Sequence, residues 1–186
     1  MTKRIVWKEG EIVLFRLSEH LYTVGQMARS PYLAFFNVNS VDGKFGDLDL
    51  NDTPMLFVAP VARNFLQRRA EGKLKVGVTP KMNLDVPRLW LHPKVDFDAR
   101  PPFRGGDLVE LDPKEGAGGS RMRTVKPDFR PRTDAELNKY ELTAIRIDPE
   151  LTARLVVCLK LGRNVDPYKE KIVRGKEPYG VFDRPV

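Results

Sequence analysis

The chain has 186 residues, 41% of them from the apolar set AVILMFWYC and 31% charged, which suits one globular domain with a real core. No apolar run approaches the ~20 residues of a membrane helix, so no membrane partner is expected. The single cysteine excludes an intrachain disulfide and a multi-cysteine zinc site, and the net charge of +7 points towards nucleic acid or an acidic partner.

The opening residues, Met1 to Gly10, read as lacking a signal peptide, and with one cysteine they suggest a reducing cytoplasm. Glu11–Leu17 and Leu21–Met27 read as strands joined by the short hairpin Ser18-Glu19-His20. Ser30-Pro31 breaks the pattern, and Tyr32–Val38 is apolar enough for a central strand. Residues 39–54 have loop chemistry, with a turn at Asp42-Gly43. Val61, Phe65, Leu66 and Arg69 share a helical spacing, so a helix is expected over 61–71 with Gly72 as its C-cap. Lys73–Val78 alternates like a strand.

Residues 80–131 hold eight of the 15 prolines, with short strands at Arg88–Leu91, Asp107–Leu111 and Met122–Val125 interrupting the loops, and 96–133 reads as a long Pro/Gly-rich loop region. Leu142–Ile147 alternates as a strand. Asp148-Pro149 then opens a helix with Asp148 as N-cap, and Gly162 closes it. Residues 163–186 read as an extended tail. The expected fold is α+β: a strongly bent, barrel-like antiparallel sheet with two helices. One domain over 1–186 is expected, with a β-rich core at 1–95, the loop region at 96–133 and a strand, helix and tail at 134–186.

No catalytic, metal or cofactor set emerges. His20 and His92 have no zinc-ligand spacing, and Cys158 falls inside an apolar helical run, as a buried thiol would. There is no phosphate loop with the Gly-Lys-Ser/Thr ending and no Gly-x-Ser-x-Gly elbow; Gly116–Gly119 is a weak phosphate cradle. Asp42, Asp47, Asp49 and Asp52 lack the order of an EF-hand loop and read as a solvated loop or an acidic partner-binding edge. The positive excess is regional. Residues 60–76 hold Arg63, Arg68, Arg69, Lys73 and Lys75 against Glu71. Residues 117–133 hold Arg121, Arg123, Lys126, Arg130 and Arg132 against Asp128. Arg104, Arg121, Arg123 and Arg130 are candidate partner contacts.

Lys8–Leu17, then Tyr22-Thr-Val-Gly-Gln-Met27, then Leu33-Ala-Phe-Phe36 resemble the opening of the immunity protein 26 family of bacterial toxin–immunity systems, including contact-dependent inhibition. Pro54–Val58 and Gly72–Gly77 follow the same layout, so the resemblance covers residues 5–95; Leu74 stands where the family often has Trp. It implies a non-enzymatic protein that binds a cognate toxin domain stoichiometrically and neutralises it. An inhibitor covering a nuclease's phosphate site is usually acidic. A chain at +7 therefore meets a toxin that is not a basic nuclease, or uses the acidic loop locally, or binds away from the active site. Two other readings stand beside this one. One is a nucleic-acid-binding β-barrel module using the basic loops; the other is an enzyme built on His92 or His20 with an Asp.

Overall fold

The computed structural model describes residues 5–95, 98, 103–112 and 122–174. Among them the strands are β1 (Ile12–Ser18), β2 (Leu21–Met27), β3 (Tyr32–Ser40), β4 (Leu48–Asp49), β5 (Met55–Pro60), β6 (Ala70–Leu74), β7 (Val78–Thr79), β8 (Leu89–Val95), β9 (Phe103–Leu111), β10 (Met122–Phe129) and β11 (Glu141–Leu142). The helices are α1 (Arg63–Arg69), α2 (Asp134–Asn138), α3 (Glu150–Leu161) and α4 (Pro167–Arg174). This is an α+β chain, mostly sheet, with four helices among the described residues where two were expected.

The chain divides into two compact units, Met1–Val86 with Ile145–Asn164, and Pro87–Ala144 with Val165–Val186. In the first unit β1, β2, β3, β5 and β6 form an antiparallel sheet in the order β5-β3-β2-β1-β6. Register shifts interrupt the β1–β2, β2–β3, β3–β5 and β1–β6 pairings, and such bulges bend a sheet. The bend was expected; a barrel was not reached, because β5 and β6 remain open edges.

The sheet's central strands are buried on both faces. Phe15 of β1 and Phe35 of β3 meet Phe65 of α1, and Phe35 also meets Phe57 of β5, with ring centroids 5.0 Å apart for Phe15–Phe65 and 5.2 Å for Phe35–Phe57. Each fully buried ring contributes about 2 kcal/mol. Gly25 of β2 lies where two of these rings close in: a Cβ there would stand 2.9 Å from Phe15 Cε2 and 3.2 Å from Phe35 Cε1. Helix α3 packs against β1 and β3, burying Leu151, Leu155, Cys158 and Leu159.

Helix α1 is shorter than its spacing implied. It ends at Arg69 and its C-cap is Ala70, not Gly72. Residues 70–74 are needed as an edge strand, pairing Ala70 with Phe15 and Leu74 with Ile12. Helix α3 starts at Glu150 with Pro149 as its N-cap. Asp148 does not cap it, because its carboxylate is engaged by Arg69 and by the Thr152 hydroxyl. Gly162 closes α3 with φ of 66°, as read from the sequence.

The second unit holds a sheet in the order β10-β9-β8-β11. Leu91, Leu108, Phe129, Leu137, Leu142 and Ile172 form its core beneath α2 and α4. Within the loop region 96–133 the short strands expected at Asp107–Leu111 and Met122–Val125 are present and longer, as β9 and β10. Residues Met122 to Asp128 of β10 are exposed, and the pairing with β9 carries the strand beyond Val125. The supposed extended tail contains α4, held by the buried Lys169 and Ile172.

The expected strand 142–147 is divided. Leu142 pairs with Leu91 in the second unit, whereas Arg146 bridges to Val61 in the first. Among the described residues no helix is long and apolar enough to cross a membrane.

Candidate partner-binding surfaces

The acidic residues lie in the first unit, on a loop that is tied down at many points. β4 and β7 pair in parallel, Leu48 with Val78 and Asp49 with Thr79. The Leu48 amide donates to Gly77 O at 2.9 Å and the Leu50 amide to Thr79 O at 3.0 Å. Asn51 extends the tie: its Nδ2 donates to Pro80 O at 3.1 Å, and its Oδ1 accepts from the Met82 amide at 2.9 Å. Gly77 has φ of 77° and sits so close to the loop that a Cβ would stand 2.8 Å from Phe45 O. Leu50 is fully buried beneath. Segments 41–54 and 75–86 thus form one assembly.

Asp42 accepts from the Lys44 amide at 3.0 Å and the Ser40 hydroxyl at 2.9 Å, and these bonds, with the Lys44 charge, hold its carboxyl below its usual range. Asp49 is lowered likewise by the Asn51 amide and carboxamide. Both organise the turn, and their remaining acceptor capacity faces outward. Asp47, at φ of 42°, and Asp52 are exposed. Among them stand apolar side chains that the sequence reading did not single out: Val41 is 70% exposed, Val76 87% and Met82 72%. Their signal in sequence was weak, since Val76 sits inside an alternating run, Lys73–Val78, that reads as strand.

The basic residues of the first unit are largely spoken for. Arg69 Nε and Nη2 hold Asp148 at 2.8 and 3.2 Å, with Arg68 Nη1 at 3.6 Å. Lys73 pairs with Glu11 and lowers its carboxyl. Arg63 and Lys75 are exposed.

In the second unit, Arg123 of β10 bonds Glu110 of β9, and Arg88 Nη2 reaches the same carboxylate at 3.0 Å. Lys94 sits 2.6 Å from Asp128 and 3.0 Å from Asp107; the two carboxylates raise its ammonium's pKa. Lys126 lies over the ring of Phe129, with Nζ 5.3 Å from the centroid. Arg130 and Arg132 are exposed at the end of the strand. Arg104 lies in β9, its side chain outside the described residues; Arg121 and Gly116–Gly119 also fall outside them.

His20 is exposed at the β1–β2 hairpin, with Nε2 4.0 Å from Glu19. His92 Nδ1 lies 3.0 Å from Thr143 Oγ1. Its cross-strand neighbour Asp107 spends Oδ1 on Lys94 and the Asp128 amide. Cys158 is buried in α3. Among the described residues no group of three or more His, Cys, Asp or Glu is placed to hold a metal ion.

The structure therefore gathers the acidic candidates, with exposed apolar residues, on one unit, and Arg123 and Arg130 on the other. No curated protein matches the chain, and no solved structure does. The family described as a domain of unknown function, DUF8309, matches residues 2–176, and the chain belongs to that family.

Proposed function

We propose that this is a partner-binding protein of the immunity type, which neutralises a cognate toxin domain by tight one-to-one association. The loop assembly of segments 41–54 and 75–86 carries the reading. It offers exposed Val41, Val76 and Met82 among the carboxylates of Asp42, Asp47 and Asp52, on a frame fixed by β4, β7, Asn51 and Gln26. A prearranged surface loses little conformational entropy on binding. Apolar anchors rimmed by charge match the anatomy of a protein interface. The acidic character offers local complementarity to a basic toxin face even though the whole chain is at +7. The resemblance of residues 5–95 to the immunity protein 26 family supports the same reading. The nucleic-acid reading has less support, since Phe129 is buried rather than open for base stacking.

The test is capture with tagged protein from lysate of its own organism, with and without nuclease. A polypeptide retained in one-to-one amount after nuclease treatment, toxic when expressed alone and harmless with this chain, supports the reading. Retention of nucleic acid that salt removes, with no protein, overturns it.

A further inference from the structure

Strand β10 ends the second unit's sheet, and among the described residues no strand pairs with its outer edge. Met122 to Asp128 are exposed in succession, which is unusual for a strand of eight residues. The pairing with β9 shifts between Thr124 and Lys126, so Arg123 lies opposite Glu110 and Lys126 opposite Leu108. Glu110 and Leu108 are two apart and face one side. The bulge therefore turns both cations to the same face of the edge, although they are three residues apart in sequence. Met122, opposite Leu111, falls on the other face and is 41% exposed. Arg123, Lys126, Arg130 and Arg132 outnumber Glu110 and Asp128 along this margin, while Lys94 and Asp107 cancel.

The geometry points to β10 as a docking edge for an extended acidic segment of a protein partner, added to the sheet as a further strand. The open backbone N–H and C=O groups supply the pairing. Arg123 and Lys126 select carboxylates at alternate positions on one face, and Met122 accepts apolar side chains on the other. A nucleic acid would leave the strand edge unpaired, and it would find Phe129 buried beneath Lys126. A second copy of this chain would set two cationic strands side by side, which like charge opposes. Pro127 and the positive φ of Asp128, 48°, end the usable edge, so the docked segment is short.

The test uses the full chain and three blocked heptapeptides: one alternating Val and Glu, one alternating Val and Lys, and the Glu peptide N-methylated at every second amide so that one edge cannot pair. The expected result is saturable binding of the Glu peptide, about tenfold weaker binding of the other two, and slowed amide hydrogen exchange confined to residues 122–126. Substituting Arg123→Ser with Lys126→Ser in the protein weakens the Glu peptide while circular dichroism stays unchanged. Equal binding of the N-methylated peptide, no binding of the Glu peptide, or its displacement by an oligothymidylate overturns the proposal.

Discussion

Gln26 and Lys81 are joined by a reciprocal pair of hydrogen bonds, the Gln26 Nε2 donating to Lys81 O at 2.9 Å and the Lys81 amide donating to Gln26 Oε1 at 2.7 Å. A buried carboxamide on β2 thus acts as a short piece of strand and fastens segment 75–86 to the sheet. Replacing it by an apolar side chain of similar size removes both bonds at once. Gln26→Leu is expected to lower stability by about 1–2 kcal/mol. Limited proteolysis within 75–86 should accelerate more than global unfolding does. Equal acceleration throughout the chain would show that the clamp has no local role.

Asp148 is buried among Arg69, Arg68 and Thr152, the Thr152 hydroxyl donating at 2.6 Å. Burial alone would raise its carboxyl, but the hydrogen bonds from Arg69 and Thr152 and the charges of Arg69 and Arg68 outweigh it, so it lies below 3.8. The unfolded chain takes up this proton at higher pH than the folded one. The stabilisation is fully present above the unfolded value of 3.8 and is lost as pH falls through the folded value. Asp148→Asn leaves two guanidinium groups without their carboxylate and is expected to cost about 3 kcal/mol at neutral pH. Urea titrations at pH 7 and pH 3 check this, and the gap between variant and parent should narrow at the lower pH.

Arg154 of α3 lies flat over Phe57, its guanidinium carbon 3.6 Å from the ring centroid, while Nη2 donates to Asn164 Oδ1 at 2.8 Å. The contact uses the planar cation, which lysine does not reproduce. Arg154→Lys should lose about 1–2 kcal/mol in thermal or chemical unfolding. A variant as stable as the parent would assign the position to charge alone.

The loop assembly makes a paired prediction for partner binding. Asp47→Lys with Asp52→Lys changes exposed side chains only, so stability should stay within about 0.5 kcal/mol. Affinity for the captured partner should fall by about tenfold or more, chiefly through slower association at low salt. Gly77→Ala acts differently. At φ of 77° with Phe45 O only 2.8 Å from the added Cβ, it displaces the loop, and binding should fall with all surface charges intact. Surface plasmon resonance against the partner separates these effects. Unchanged affinity in both variants would remove this loop from the interface.

Residue pattern alone reached the meander, because β1, β2 and β3 have short connections and a shared apolar core that local alternation records. Thr133 to Glu136 also carries a cap signal: the Thr133 hydroxyl accepts from the Glu136 amide at 3.1 Å and starts α2. The acidic loop was legible as a loop. Its exposed Val76 and Met82 were not: Val76, inside an alternating run, reads as the buried face of a strand until its neighbours are known, and a single Met82 in a loop carries no pattern.

What the sequence by itself determined is local: where apolar alternation makes strands, where Gly162 stops a helix, that Cys158 sits in an apolar helical run, and that no zinc-ligand or phosphate-loop spacing exists. Tertiary pairing decided the rest. Residues 70–74 became an edge strand because β1 had an open side, although their local spacing favoured a longer helix. Residues 122–125 read as a short strand, but β10 runs on to Phe129 through hydrogen bonds to β9, with no apolar alternation to carry it that far. Leu142 and Arg146, four positions apart in one alternating run, were drawn into different units because each found a backbone partner far away in sequence, Leu91 and Val61. Backbone hydrogen bonding is nearly independent of side-chain identity, so pairings made across long sequence separations leave little trace in the residues that make them.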